Sequence, residues 1–233
     1  MDIKGKTVLI TGGAKRLGAF LSIELSKLGA NLIIHYNSSE KEAKRLKEEC
    51  EKTGSNVKTV RANFLNSISK LSNLIKETDI LICNASDFRK IEPEKLNERE
   101  ILRGIKTEFL SHFILIKNLW IKSKKKNSLS KVITISDATA FRTKFIPYHL
   151  GKKLLEYTTQ EMAKMFAPHL TINCLALGVI LPPEGKDETY IKKLSEKVPM
   201  KREGKMEEIL SALKFIIEND YITGQLIKIS GGM

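Results

Sequence analysis

Apolar and polar positions along this chain follow two periods. Short apolar runs of strand length recur at Val8–Ile10, Asn31–Tyr36, Val57–Ala62, Asp79–Cys83, Lys131–Ile135, Leu170–Leu177 and Leu226–Ile229. Between them the spacing turns helical. Leu17, Leu21, Leu25 and Leu28 fall on one face, and Ala43, Leu46 and Cys50 on another. Leu102, Ile105, Phe109, Phe113, Ile116 and Trp120 mark the inner stripe of one long helix over 98–122. Further helices are predicted over 69–77, 148–166 and 207–218. Ser39, with Glu42 three residues on, reads as a capping box that opens the second helix. Runs without polar alternation fit strands buried on both faces, as in a parallel sheet. Strand and helix alternate throughout, which predicts the α/β class: a single three-layer αβα domain over 1–233 with a doubly wound parallel sheet. The least regular piece, 178–202, holds Pro182 and Pro183 and follows a strand's C-terminal end, so it reads as a candidate lid.

Composition narrows the setting. The chain has 233 residues, enough for one sizeable core. Its 3 cysteines, Cys50, Cys83 and Cys174, lie far apart without metal-ligand spacing, and read as buried reduced thiols with no metal. Met1 leads directly into a strand pattern, and no apolar run approaches the roughly 20 residues of a membrane helix. A cytoplasmic protein with no membrane contact is expected. The net charge of +13 fits anionic small molecules, or a lysine-rich background that means nothing specific. Aromatic and basic residues do not interleave, so no nucleic-acid groove is expected. The run Lys122–Lys126 reads as a solvated loop.

In an open parallel sheet, ligands bind beyond the C-terminal ends of the strands. The stretch Thr7–Gly18, TVLITGGAKRLG, is strand, glycine turn and helix. That geometry aims backbone N–H groups at a pyrophosphate and makes Gly12, Lys15, Arg16, Leu17 and Gly18 cofactor candidates of Rossmann type. After the second strand, Tyr36-Asn37-Ser38-Ser39 lacks the carboxylate that holds the ribose 2′-hydroxyl of NAD. Its hydroxyl and amide groups, beside Lys15 and Arg16, suit the 2′-phosphate of NADP; the same residues also turn the chain and cap a helix. Asn63 and Phe64 border the adenine position, and Asn84, Ala85 and Ser86 are small enough to let backbone approach a cofactor. Gly178 and Ile180 follow the sixth strand at the same edge. Phe88 is either packing or a stacking platform for a flat substrate. Tyr148 and Lys152, four apart, share a helix face. A nearby ammonium lowers a phenol's pKa, which makes Tyr148 a general acid for a group receiving hydride.

Together these residues resemble the short-chain dehydrogenase/reductase family over nearly the whole chain. The resemblance rests on TGGAKRLG, on Asn84-Ala85-Ser86, on Tyr148-His149-Leu150-Gly151-Lys152, on Ile172-Asn173-Cys174 and on Ile222-Thr223-Gly224-Gln225. Within the family the details are similar to the pteridine reductases, including the dihydromonapterin reductases. Arg16 replaces the middle glycine of the usual loop, His35–Ser39 matches that branch's second turn, Phe88 its aromatic, and Asp137 stands where most members have a serine. The resemblance implies hydride transfer from NADPH to a C=N bond of a pterin. In that scheme Tyr148 gives a proton and Asp137 orients Tyr148 or the substrate. Lys152 holds the nicotinamide ribose, Phe88 sandwiches the pterin, and Arg16 contacts phosphate and substrate. It also implies a homotetramer. Two departures stand out. Glu108 replaces the family's asparagine and is expected to pair with Lys152. Asp137 precedes Tyr148 by only 11 positions, so either Asp137 or Ser136 serves Tyr148. A 3-oxoacyl carrier-protein reductase, and a cofactor-binding sensor or partner subunit with little turnover, remain alternatives.

Overall fold

The computed structural model describes residues 1–139, 142–183, 185 and 187–233. Seven strands form one parallel sheet: β1 (Thr7–Ile10), β2 (Asn31–Tyr36), β3 (Val57–Arg61), β4 (Ile80–Cys83), β5 (Ser130–Asp137), β6 (Leu170–Leu177) and β7 (Leu226–Ile229). Their order is β3-β2-β1-β4-β5-β6-β7. The order reverses between β1 and β4, and the ligand crevice of a doubly wound sheet lies at such a switch point. The helices are α1 (Arg16–Lys27), α2 (Glu40–Glu51), α3 (Ile68–Ser72), α4 (Glu98–Ile105), α5 (Ser111–Lys125), α6 (Ile146–Phe166), α7 (Glu188–Ser195) and α8 (Met206–Glu218).

Strand residues alternate between two cores, because successive side chains leave opposite faces of a sheet. Val8 and Ile10 join Leu21, Leu25, Leu213 and Ile216 under α1 and α8. Leu9 joins Leu81, Val132, Leu115, Leu119 and Leu155 under α5 and α6. All three cysteines are free and buried.

Five expectations need correction. Ser39 precedes α2 without a side-chain cap bond, and Glu42 instead pairs with Lys15 at 3.1 Å. The predicted 69–77 helix is α3 followed by a 3-10 segment, Asn73–Glu77. The predicted 98–122 helix is α4 and α5 joined by one π-helical turn, Lys106–Leu110, and Leu102 on its supposed inner stripe is 54% exposed. The Lys122–Lys126 run is mostly helix: Lys122 Nζ donates to Thr78 O at 2.8 Å, and buried Ser123 bonds Ser130. The stretch 178–202, expected to be the least regular piece, carries a helix of its own, α7, with Ile191 buried against Val179 and Val198.

Candidate active site

The first turn is built on backbone contact. Gly12 takes a φ of +62°, and a Cβ there would stand 2.8 Å from Ala85 Cα. A Cβ on Gly18 would stand 2.2 Å from Gly12 O. These glycines let β1, β4 and α1 close on each other, rather than leaving space for a ligand. Asn84 Nδ2 donates to Thr11 O and Gly12 O at 3.1 and 3.0 Å, which locks the turns after β1 and β4 together.

Two histidines, His35 in β2 and His112 in α5, brace this junction. Gly12 N–H donates to His35 Nδ1 at 3.1 Å, so His35 Nε2–H donates to Ala62 O at 2.9 Å. Burial lowers His35 to about 4. His112 donates from Nδ1 to Glu108 O at 3.1 Å and meets Thr11 Oγ1 through Nε2 at 3.2 Å; burial lowers it to about 3. Phe64, expected beside an adenine, is buried. It stacks on His35 at 4.9 Å and meets the His112 ring edge-on, so its side chain belongs to the core. Asn63 Oδ1 accepts from Leu65 N at 2.9 Å, so that oxygen already serves its own turn.

The start of α1 presents N–H groups with no side-chain cap and no acid in its first turn, a donor set that suits an anion. Lys15 and Arg16 are exposed there, with Leu17 and Gly18 buried behind them. Arg16 holds a φ of +54°, a left-handed conformation that suits glycine, and its Nη2 donates to Pro182 O at 2.6 Å. Beyond β2, Asn37 and Ser38 are exposed, and Tyr36 packs on the core beneath them. Arg61, which the sequence reading missed, donates to Asn37 O at 3.2 Å and puts a cation at this turn. Gly178 is fixed by β7, since a Cβ would stand 2.7 Å from Ser230 Cα. Ile180 lines a cavity of about 270 Å³ with Met200, Arg202 and Lys228.

Tyr148, Asp137 and Lys152 converge at the C-terminal ends of β4 and β5. Tyr148 Oη donates to Asp137 Oδ2 at 3.0 Å, so the 11-residue interval does reach. Ser136 is instead taken by Glu156, to which its hydroxyl donates at 2.5 Å, and so does not serve Tyr148. Lys152 Nζ donates to Ile135 O at 2.7 Å, pairs with Glu108 Oε2 at 3.1 Å, and lies 5.7 Å from the Tyr148 ring centre. The phenol is raised above its ordinary range, not lowered toward working pH as the spacing suggested. Burial is the main cause, followed by the charges of Asp137 and Glu108. Phe88 is 40% exposed, stacks on Phe145 at 4.3 Å and meets the Tyr148 ring edge-on at 4.9 Å. Phe145 is a second aromatic that the sequence reading missed. Ser86 donates to Glu108 Oε1 at 3.1 Å. Asp87, beside it, accepts from Arg103 Nε at 2.8 Å and Arg89 Nε at 3.1 Å.

A doubly wound parallel sheet takes its ligand beyond the C-terminal ends of its strands, and a buried Tyr–Lys pair stands there beside the crevice. The chain belongs to the short chain dehydrogenase family, whose model matches residues 6–190. The FolM alternative dihydrofolate reductase 1 of Brucella suis, solved in complex with NADP, superimposes with a TM-score of 0.88 at 26% identity, over 100% of this chain and 96% of that one. The 3-oxoacyl-[acyl-carrier-protein] reductase FabG of Rickettsia bellii is 28% identical over 100% of this chain and 98% of its own length. The uncharacterized oxidoreductase YhxC of Bacillus subtilis is 27% identical over 99% of this chain and 85% of its own.

Proposed function

We propose that this chain is an NADPH-dependent reductase acting on a C=N bond of a dihydropterin or dihydrofolate. The observation that carries the reading is the joint placement of Phe88, Tyr148 and Asp137. An exposed phenyl ring stands edge-on to a phenol whose hydroxyl a carboxylate holds at 3.0 Å. Phe145 covers one face of the Phe88 ring, and a flat heterocycle takes the other. The likeness to the NADP-bound FolM enzyme supports the same assignment. NADP is preferred over NAD because the turn after β2 carries Asn37, Ser38 and the nearby cation of Arg61, and no carboxylate. The α1 start with Lys15 and Arg16 would hold the pyrophosphate side. When bound, the reduced nicotinamide would supply hydride to the C=N carbon. Tyr148 gives its hydroxyl proton to the nitrogen, so the double bond becomes CH–NH and the phenol is refilled from solvent. Asp137 aims that hydroxyl, and its raised affinity for its proton keeps it a donor rather than a phenolate.

The test is oxidation of NADPH with dihydrobiopterin, dihydromonapterin and dihydrofolate, each against Phe88→Ala and Tyr148→Phe. Phe88→Ala is expected to raise the pterin KM about tenfold with dinucleotide binding kept. Tyr148→Phe is expected to cost about 10²–10⁴ in kcat. Two observations favour a second reading: the FabG relative, matched over 98% of its length, makes a 3-oxoacyl carrier-protein reductase the alternative. The +13 net charge also suits an acidic carrier. Turnover of acetoacetyl thioesters alone would establish it, and tight NADPH binding without either turnover would leave a sensor. We further propose that the enzyme works in the cytoplasm as a homotetramer. Separately, no helix among the described residues is long and apolar enough to cross a membrane.

A further inference from the structure

Glu108 is fully buried, yet it is a carboxylate. It sits in the π-helical turn between α4 and α5, where two glycines bring that turn onto α6. A Cβ on Gly151 would stand 2.5 Å from Glu108 Cβ, and one on Gly104 would stand 2.3 Å from Pro147 O. From this position Oε1 accepts Asp87 N–H at 2.5 Å and Ser86 Oγ–H at 3.1 Å, while Oε2 lies 3.1 Å from Lys152 Nζ. No aligned hydrogen-bond donor serves Oε2 among the described residues, so the Lys152 contact is one of charge more than of direction. Removing a charge from water is costly unless partners repay it, and here Lys152, Ser86 and Asp87 N–H are those partners.

We propose that Glu108 is a positioning residue, a buried tie between the turn that carries Phe88 and the amine of Lys152. It acts on both halves of the reaction. Through Asp87 N–H and Ser86 it sets the height of the Phe88 platform above the crevice. Through Lys152 it cancels the cation that would otherwise favour phenolate at Tyr148, so the proton stays on the phenol and Asp137 aims it. The groups that meet at this centre are Lys152, Tyr148 and His149 from α6, Arg142 from the segment before it, whose charge favours the phenolate, His112 from α5, Cys83 at the end of β4, Asp87 from the loop beyond it, and Asp137 from β5. His112 and Cys83 stay neutral because burial pushes the first down to about 3 and the second well up. Glu108 itself is raised by burial, with Lys152 opposing.

The inference rests on the assignment of Tyr148 as proton donor, and the test separates the two. Glu108→Gln keeps an acceptor for Asp87 N–H and Ser86 but removes the charge. Its pterin KM is expected to stay within about threefold, while the ionisation of Tyr148 moves down by about one pH unit or more. That shift is read without substrate, as tyrosinate absorbance subtracted from Glu108→Gln/Tyr148→Phe, and in turnover as a basic limb of kcat displaced to lower pH. Ser86→Ala cuts the tie from the exposed side and is expected to raise the pterin KM with the pH profile unmoved. Wild-type tyrosinate titration in Glu108→Gln, together with a wild-type KM in Ser86→Ala, would overturn the proposal even if Tyr148→Phe is inactive. An active Tyr148→Phe would instead remove the assignment beneath it.

Discussion

Two neutral imidazoles make the first turn sensitive to acid. His35 and His112 are held near 4 and 3, against an ordinary 6.5, because burial disfavours their charged forms. Below 6.5 the unfolded chain takes up protons that the folded chain refuses. Their contribution is therefore complete above about 6.5 and is lost as pH falls, by about 1.4 kcal/mol per pH unit for each histidine. Glu108 runs the other way, since a raised carboxyl costs stability as pH rises past 4.5, and it offsets part of the slope. Urea unfolding between pH 7.5 and 4.5 should show stability falling with acid. His35→Gln should be less stable at pH 7.5 and should lose about 1.4 kcal/mol per pH unit of that slope. An unchanged slope in the variant would take His35 out of the account. At the same scale, Asp137→Asn keeps the shape beside Tyr148 but removes a charge that raises it. Its kcat should fall, and the basic limb of its pH–rate profile should move to lower pH.

The elements follow the apolar pattern where that pattern is unambiguous. The β2 and β6 runs match the strands end for end. The Gly12 turn follows β1, and Tyr148 and Lys152 share a face of α6, as their spacing implied, although each spacing alone is a common one. The π-turn is hidden, because the apolar stripe from Ile105 through Phe109 to Ile116 runs on without a break. At the turn Gly104 lies against Pro147 and Gly151 against Glu108, contacts between elements that the local pattern does not show. The helix α7 is hidden for a different reason: Ile191 and Leu194 are too few for a stripe. Arg61, Phe145, His112 and the bracing role of His35 escape notice because each acts through a neighbour that is distant in sequence. The same crowding gives a test at element scale. In Gly151→Ala the added methyl group meets Glu108 Cβ and, at 3.0 Å, Gly104 O, and neither is the free end of a side chain. Thermal melting should report a loss of about 1–3 kcal/mol. Turnover should fall further than the loss of folded protein accounts for, because α6 carries Tyr148 and Lys152 on its first turns.

At the scale of the whole molecule, two separate sets of elements carry exposed apolar side chains, apart from Phe88, Met200 and Met233. Leu102, Leu110, Ile121, Tyr157 and Met165 belong to the α4–α5–α6 layer; Tyr157 is 81% exposed and Met165 63%. Phe215, Tyr221 and Leu226 belong to α8, the segment after it and β7, the strand at the open end of the sheet. Trp120 and Phe166 stack on each other at 5.1 Å inside the subunit. One self-complementary face gives a dimer, and two independent ones give a closed tetramer with dihedral symmetry. Each would have to cover about 800 Å² per subunit to hold at working concentrations. Light scattering behind a sizing column should therefore give four times the 26.3 kDa chain mass. Tyr157→Glu with Met165→Glu should leave a dimer, Phe215→Glu should leave a different dimer, and the three together a monomer. A wild-type monomer, or a tetramer that survives all three substitutions, would place the contacts elsewhere.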